Sequence, residues 1–291
     1  MTFIQTLLTP EFALQVSDRR LSAAGKIYDD SYNKAVSWCN MVTVSFTGAF
    51  AHVDHQMTEP VTNWIAGVLA SQDTVQGAVN ALSEGVKRLT SRMSALPDRR
   101  LTISMAGIAP DAGTVFCIRI SNYETPDRIL PKHSNTEVYR SGYNIPIGGI
   151  ECHYSTAGAQ LGDREVCANE VNKLARISQW GGINNTARYM VKLQRRVAER
   201  ERRNGTNIVG NDAMVVSIPA NDDHREGIFM SSTATDAIHG LAPNFSFVKS
   251  GSFSKERFAP VFACAGTVST VSATGDRNYQ KISFQFIDPP T

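Results

Sequence analysis

Residues 2–22 read TFIQTLLTPEFALQVSDRRLS, and this stretch decides the architecture. Two short runs, 2–9 and 12–17, are mainly apolar and β-branched, and Pro10-Glu11 separates them. Short apolar runs around a two-residue break predict a tight hairpin of buried strands. A polar, turn-rich stretch occupies 18–33. Residues 34–38 and 41–46 then form a second strand pair around Cys39-Asn40, closing at Thr47-Gly48. The chain is thus expected to open with four strands and little surface.

Helical periodicity follows. Phe50, Val53, Met57, Val61, Trp64, Ile65, Val68 and Leu69 recur at steps of three and four, predicting a helix that Pro60 starts or kinks. Val75, Ala78, Val79, Leu82, Val86, Leu89 and Met93 hold a second stripe, with Asp73 or Thr74 as its N-cap. Strands are predicted to return at 101–108 and 114–121. Residues 122–162 carry Gly142, Gly148, Gly149, Gly158 and Gly162, and no long helix can be placed there. Helices are predicted at 167–177 and 184–203, and a strand at 212–218 closed by Pro219. The remaining residues, 219–291, are rich in Ser, Thr, Gly and Phe. Phe245, Phe247, Phe253, Phe258, Phe262, Phe284 and Phe286 suggest strands there. The expected organisation is a core of residues 1–218 with a β-rich extension, 219–291, packed on it.

Composition bounds the function. The 291 residues are 42% hydrophobic, with 29 Lys+Arg against 27 Asp+Glu, a formal charge of +2. That is the profile of an ordinary globular chain, and it gives no basic footprint for nucleic acid. The five cysteines show no CxxC spacing, so neither a disulfide framework nor a zinc cluster is indicated. The first residues lack a basic n-region, and Pro10-Glu11 cuts the apolar run short of the roughly 7–15 residues of a secretory signal. No apolar run approaches the ~20 residues of a membrane span. A cytoplasmic chain without membrane contact is expected.

The element order, two strand pairs, two helices, two strands, two helices and one strand, predicts an α+β fold in which two sheets lie between helical layers. A threonine, Thr2, begins its first strand. Initiator methionine is commonly removed before a small residue, which would free the Thr2 α-amino group. Asp18 stands 16 residues beyond Thr2, Lys34 stands 32 beyond, and Gly48 stands 46 beyond. The flanks are VSDRRLS (16–22) and FTGAF (46–50). In these spacings and flanks the chain resembles the proteasome β-subunit branch of the N-terminal nucleophile (Ntn) hydrolases, including the bacterial two-tier peptidase rings. The likeness covers residues 2–120, and 183–218 more loosely.

The resemblance implies a four-layer αββα sandwich and a threonine peptidase or amidase. Thr2 would be the nucleophile, Lys34 its electrostatic partner, Asp18 the residue orienting Lys34, and Gly48 the oxyanion donor. Ser22, with Arg20 beside it, matches the backbone-binding position for an extended peptide. Ala24 stands where the family usually has Gly. Asn204 would replace an Asp that supports the terminal amine, and Thr206 or Asn207 a Ser; Ser155 or Thr156 could fill a further supporting position. No cofactor is implied. Self-assembly into a ring, double ring or helical stack is implied, and an ATPase partner is left open. Two other readings stand beside it: a non-catalytic assembly subunit, which retention of Met1 would favour, and a small-molecule amidase of the same superfamily, marked by a closed pocket.

The chemistry is sound on its own terms. A threonine hydroxyl needs a base, which a free amine of pKa about 7.7–8 on the same residue can supply. His52 and His55 bracket Asp54 at a predicted helix start, but such a pair lacks a third metal ligand. In the arginine-rich run 195–203, Glu199 and Glu201 interleave with the cations, which reads as a solvated helix face or a subunit contact rather than a nucleic-acid site.

Overall fold

The computed structural model describes residues 2–23, 26–30, 32–49, 51–54, 57–92, 98–108, 115–140, 143–147, 150–162, 164–219, 245–248, 256–258, 261–275 and 280–287. It is a mixed α+β protein. The chain opens with β1 (Phe3–Leu8) and β2 (Phe12–Asp18), every residue of which is buried. They pair antiparallel with Leu8 opposite Ala13. The turn is closed by Thr9, whose N–H reaches the Phe12 carbonyl at 2.9 Å and whose hydroxyl accepts the Phe12 N–H at 3.0 Å. The predicted hairpin forms because Pro10 and Glu11 are left exposed between two apolar runs.

The turn-rich stretch contains a small hairpin, β3 (Leu21–Ala23) and β4 (Lys26–Asp29). Next come β5 (Ala35–Trp38) and β6 (Val42–Gly48), then β7 (Ala51–Asp54) and β8 (Met57–Pro60). This last pair corrects the sequence reading. These two strands pair antiparallel, Ala51 opposite Pro60, so His52 lies on a strand, and His55 lies outside the described residues. Helix α1 (Val61–Ala70) starts only after Pro60, whose φ of −60° and ψ of 134° make it an extended N-cap. Proline is tolerated at a helix start but not in an interior, and it pushes the residue before it into extended backbone. Helix α2 (Val75–Arg92) is capped by Thr74, whose hydroxyl accepts the Gly77 N–H at 3.0 Å.

Beyond α2 lie β9 (Leu101–Ile108), β10 (Val115–Ser121), β11 (Glu137–Arg140), β12 (Tyr143–Ile147) and β13 (Ile150–Gly158). Helix α3 (Arg164–Arg203) is interrupted at Gly182, whose φ of 65° and ψ of −178° break it into two segments. Last come β14 (Ala213–Pro219), β15 (Phe245–Val248), β16 (Glu256–Phe258), β17 (Val261–Cys264), β18 (Thr267–Gly275) and β19 (Gln280–Ile287).

One sheet runs β12-β13-β1-β2-β14-β15 and the other β11-β10-β9-β6-β5-β17-β18-β16, with β19 on β18. The described strands of the last quarter therefore continue both sheets: β15 extends the first beyond β14, and β17 joins β5 in parallel. Alternation sorts the side chains. Phe3 and Leu7 of β1, with Phe12, Leu14 and Val16 of β2, pack with Leu174, Met190, Leu193 and Val197 of α3. On the second sheet, Val36, Val44, Phe46, Ile103 and Met105 pack with Ile65 and Leu69 of α1 and Leu82 and Val86 of α2. The opposite faces of β1 and β2 supply Leu8 and Ala13, which meet Ala35, Ala106 and Cys117 of the second sheet. Gln15 spans this layer, donating to the Ser104 carbonyl at 3.2 Å and accepting from Thr43 Oγ1 at 3.1 Å. Among the described residues no helix is long and apolar enough to cross a membrane.

Candidate active site at Thr2

Antiparallel pairing brings the start of β1 beside the end of β2, and likewise the start of β5 beside the end of β6. Four ends of the two sheets thus converge. Thr2 precedes β1, Asp18 ends β2, Lys34 precedes β5, and Thr47 and Gly48 end β6. Thr2, Asp18 and Lys34 are all essentially buried.

Lys34 Nζ lies 2.7 Å from Thr2 Oγ1 and 3.4 Å from Asp18 Oδ2, and it also donates to the Arg20 carbonyl. An ammonium has three N–H donors, and each has an acceptor. Burial pushes the Lys34 pKa below its ordinary value; the Asp18 carboxylate opposes that shift and the Arg20 charge adds to it. Burial disfavours the charged amine, so Lys34 gives up a proton more readily than a solvated lysine does.

Asp18 does more than face Lys34. Its Oδ1 accepts the Phe3 N–H at 2.8 Å, and its Oδ2 accepts the N–H groups of Arg20 at 3.0 Å and Gly210 at 3.1 Å. One carboxylate therefore anchors the residue after Thr2, the turn out of β2 and the loop before β14. The Thr2 nitrogen donates to Thr47 Oγ1 at 2.8 Å, and the Thr2 carbonyl accepts the Ala159 N–H at 3.0 Å. Gly48 has a φ of 107°, and a Cβ there would lie 2.0 Å from the Arg100 carbonyl oxygen. Only glycine fits that backbone against β9.

A second buried ion pair backs the same strand end. Arg119 Nη1 and Glu124 Oε2 are 3.2 Å apart, Arg119 also donates to Ser155 Oγ at 2.5 Å, and Glu124 Oε1 accepts the Gly158 N–H at 2.7 Å. A Cβ on Gly158 would sit 1.9 Å from the Thr2 carbonyl oxygen and 2.9 Å from Thr47 Oγ1. Gly158 thus separates Glu124 from Thr2 by a single residue.

The structure brings together Thr2, Lys34 and Asp18, with Gly48 next to Thr47. Ser22 lies half-buried on β3. Arg20 holds Lys34 through its carbonyl, while its guanidinium reaches Asp30 at 2.6 Å and Asn207 Oδ1 at 2.5 Å. Among the residues read as supporting the amine, Asn207 binds Arg20, Thr206 Oγ1 donates to Glu201 Oε2 at 2.7 Å, and Asn204 donates its N–H to the Arg200 carbonyl. Ser155 and Thr156 lie opposite Thr6 and Gln5 in β1, several residues along from Thr2. The group at the Thr2 nitrogen is instead the Thr47 hydroxyl, which sequence reasoning passed over although it adjoins Gly48. Glu124 and Arg119 were missed as well; no local pattern marks them. No family model matches the chain, and no curated protein matches it.

Proposed function

We propose that the chain is a threonine-type Ntn hydrolase that cleaves peptide or amide bonds through an acyl-enzyme on Thr2, exposed by removal of Met1. The observation that carries this reading is the 2.7 Å contact between Lys34 Nζ and Thr2 Oγ1, buried and backed by Asp18. In the same reading, α3, the two sheets and the α1–α2 pair are the successive layers of an αββα sandwich. Assembly into a ring, double ring or helical stack in the cytoplasm belongs to the resemblance that the spacings support.

The steps follow from the residues. With Met1 gone, the Thr2 nitrogen is an amine beside the Thr47 hydroxyl. Thr2 Oγ1 attacks the substrate carbonyl carbon, its proton passes to the amine, and the carbonyl π-electrons move onto oxygen. The Lys34 charge lowers the energy of the developing alkoxide, and the Gly48 N–H receives the oxyanion, a donor worth about 3 kcal/mol. Collapse breaks the C–N bond, and the amine proton leaves with the departing nitrogen. Water then attacks the Thr2 ester carbon, losing a proton to the same amine; collapse breaks the bond from that carbon to Thr2 Oγ1, the amine returns the proton to Oγ1, and the acid is freed.

Intact mass before and after treatment with a peptide electrophile that captures N-terminal threonine tests this. Loss of Met1 and a single adduct, absent in Thr2→Ala and in Lys34→Ala, are expected. Unreacted protein still carrying Met1 would sink the enzyme reading and favour a non-catalytic subunit. Labelling that persists in Thr2→Ala would move the nucleophile elsewhere.

A further inference from the structure

A cavity of about 290 Å³ opens beside Ala159, whose N–H holds the Thr2 carbonyl, and Gly158, whose N–H is held by Glu124. Its charged lining is Arg119, Glu124, Asp127, Arg128 and Arg140. Glu124 is spent within the wall, one oxygen on the Gly158 N–H and the other on Arg119. Arg119 is 4% exposed, and its Nε finds no partner among the described residues. Arg128 and Arg140 are exposed, and no carboxylate is bonded to either guanidinium among the described residues. Among the described residues these two guanidiniums stand against the single carboxylate of Asp127, an excess of one positive charge.

The backbone presents both cations firmly. Arg128 sits in a turn where its N–H reaches Thr125 Oγ1 at 3.2 Å and its carbonyl accepts the Thr125 N–H at 2.9 Å. Arg140 is paired across the sheet with Ile118 of β10. A guanidinium fork matches a carboxylate in two parallel hydrogen bonds. Asp127 disfavours a dianion such as phosphate, whereas one carboxylate balances the excess charge. We propose that this cavity is a specificity subsite that takes a carboxylate of the peptide whose neighbouring bond is cleaved at Thr2. The assignment rests on the hydrolase reading above, so its test is built to fail separately.

Peptide electrophiles carrying one Glu, or one Gln in its place, at each position in turn are compared by their labelling rates, read from intact mass. At one position Glu should outpace Gln by about tenfold, and the ratio should fall to about one in Arg128→Ala and in Arg140→Ala. Both side chains are exposed, so neither change removes core packing. A ratio near one at every position in the parent protein overturns the subsite and leaves the hydrolase reading standing. If nothing labels Thr2, the hydrolase reading falls, and fluorescence anisotropy of dye-tagged Glu and Gln peptides decides the site. A preference for Glu that Arg128→Ala abolishes sustains carboxylate recognition, and equal binding overturns it. Inorganic phosphate that displaces the Glu peptide more strongly than acetate at equal ionic strength would also overturn the carboxylate assignment.

Discussion

The ion pairs around Thr2 and those on α3 invert the usual expectation that the shortest contact matters most. On α3, Arg202 meets Glu199 at 2.5 Å and Arg203 meets the same residue at 3.1 Å, with side chains 38–75% exposed. Beneath Thr2, Lys34 and Asp18 are 3.4 Å apart and Arg119 and Glu124 are 3.2 Å apart, with 5% exposure or less. The exposed charges trade one hydrated geometry for another. The buried ones have lost water, and backbone N–H groups and hydroxyls supply part of the bonding that water gave them. Location, more than distance, separates the buried cluster from the solvated surface.

Asp18→Ala should break this contrast hardest. It strands Lys34 and removes the acceptor for the Phe3, Arg20 and Gly210 N–H groups, so a loss of about 4–5 kcal/mol is expected from urea unfolding. A loss under about 1 kcal/mol would mean that the cluster contributes no more than a surface pair.

Lys34 sharpens the contrast through pH. Its folded pKa lies below the ordinary 10.5 because burial outweighs Asp18. Between the folded and unfolded values the unfolded chain holds more protons on this group, so the contribution to stability rises with pH there. The cost of the buried charge is fully present below the folded pKa and is relieved as pH climbs through it. Unfolding free energies of the parent minus those of Lys34→Met should therefore increase across the alkaline range towards 10.5. A flat or falling difference would contradict the direction of the shift.

Thr2, Asp18, Lys34 and Gly48 were singled out by the resemblance in their spacings, and the fold gathers them because each stands at one end of a strand, Thr2 and Lys34 just before β1 and β5, Asp18 and Gly48 at the ends of β2 and β6. Less of the site's surroundings could be read. Strand β13, which holds β1 along its whole length, was lost among glycines taken only as breakers. Yet Ile147 pairs with Ile150 across Gly148-Gly149, and a two-residue Gly-Gly link between apolar residues is a hairpin signal. Thr47 was hidden in plain view beside Gly48. Arg119 and Glu124 meet Ser155 and Gly158 through contacts 34–36 residues apart, which no local pattern encodes. The stripe assigned to a helix from Phe50 onward spans a hairpin, since apolar spacing alone cannot tell a short strand pair from a helical turn.

Glycine gives an intermediate effect. Gly48→Ala puts a Cβ 2.0 Å from the Arg100 carbonyl in a left-handed backbone, and neither strand can retreat without losing pairing. Gly205 shares a positive φ, 77°, but has nothing within 4 Å. Gly205→Ala isolates the conformational cost, about 1 kcal/mol, and Gly48→Ala should exceed it by at least about 2 kcal/mol in the same urea titration. Equal losses would show that the strand end beside Thr2 yields freely.

Glu199→Ala supplies the smallest change and the other half of the comparison. It removes the acceptor of two arginines at once, Arg202 three residues on and Arg203 four residues on, at the end of α3. Both cations face solvent, so their hydration replaces the lost pairing. They also sit in the last turn of a helix, where positive charge is favoured by the exposed carbonyls. The expected loss is about 0.5 kcal/mol, shrinking further as salt is raised, because exposed pairs are screened within roughly a Debye length. A loss approaching that of Asp18→Ala would mean that this arginine-rich face is covered in the protein's working state. The short distances on α3 would then report a buried contact between subunits rather than a solvated surface.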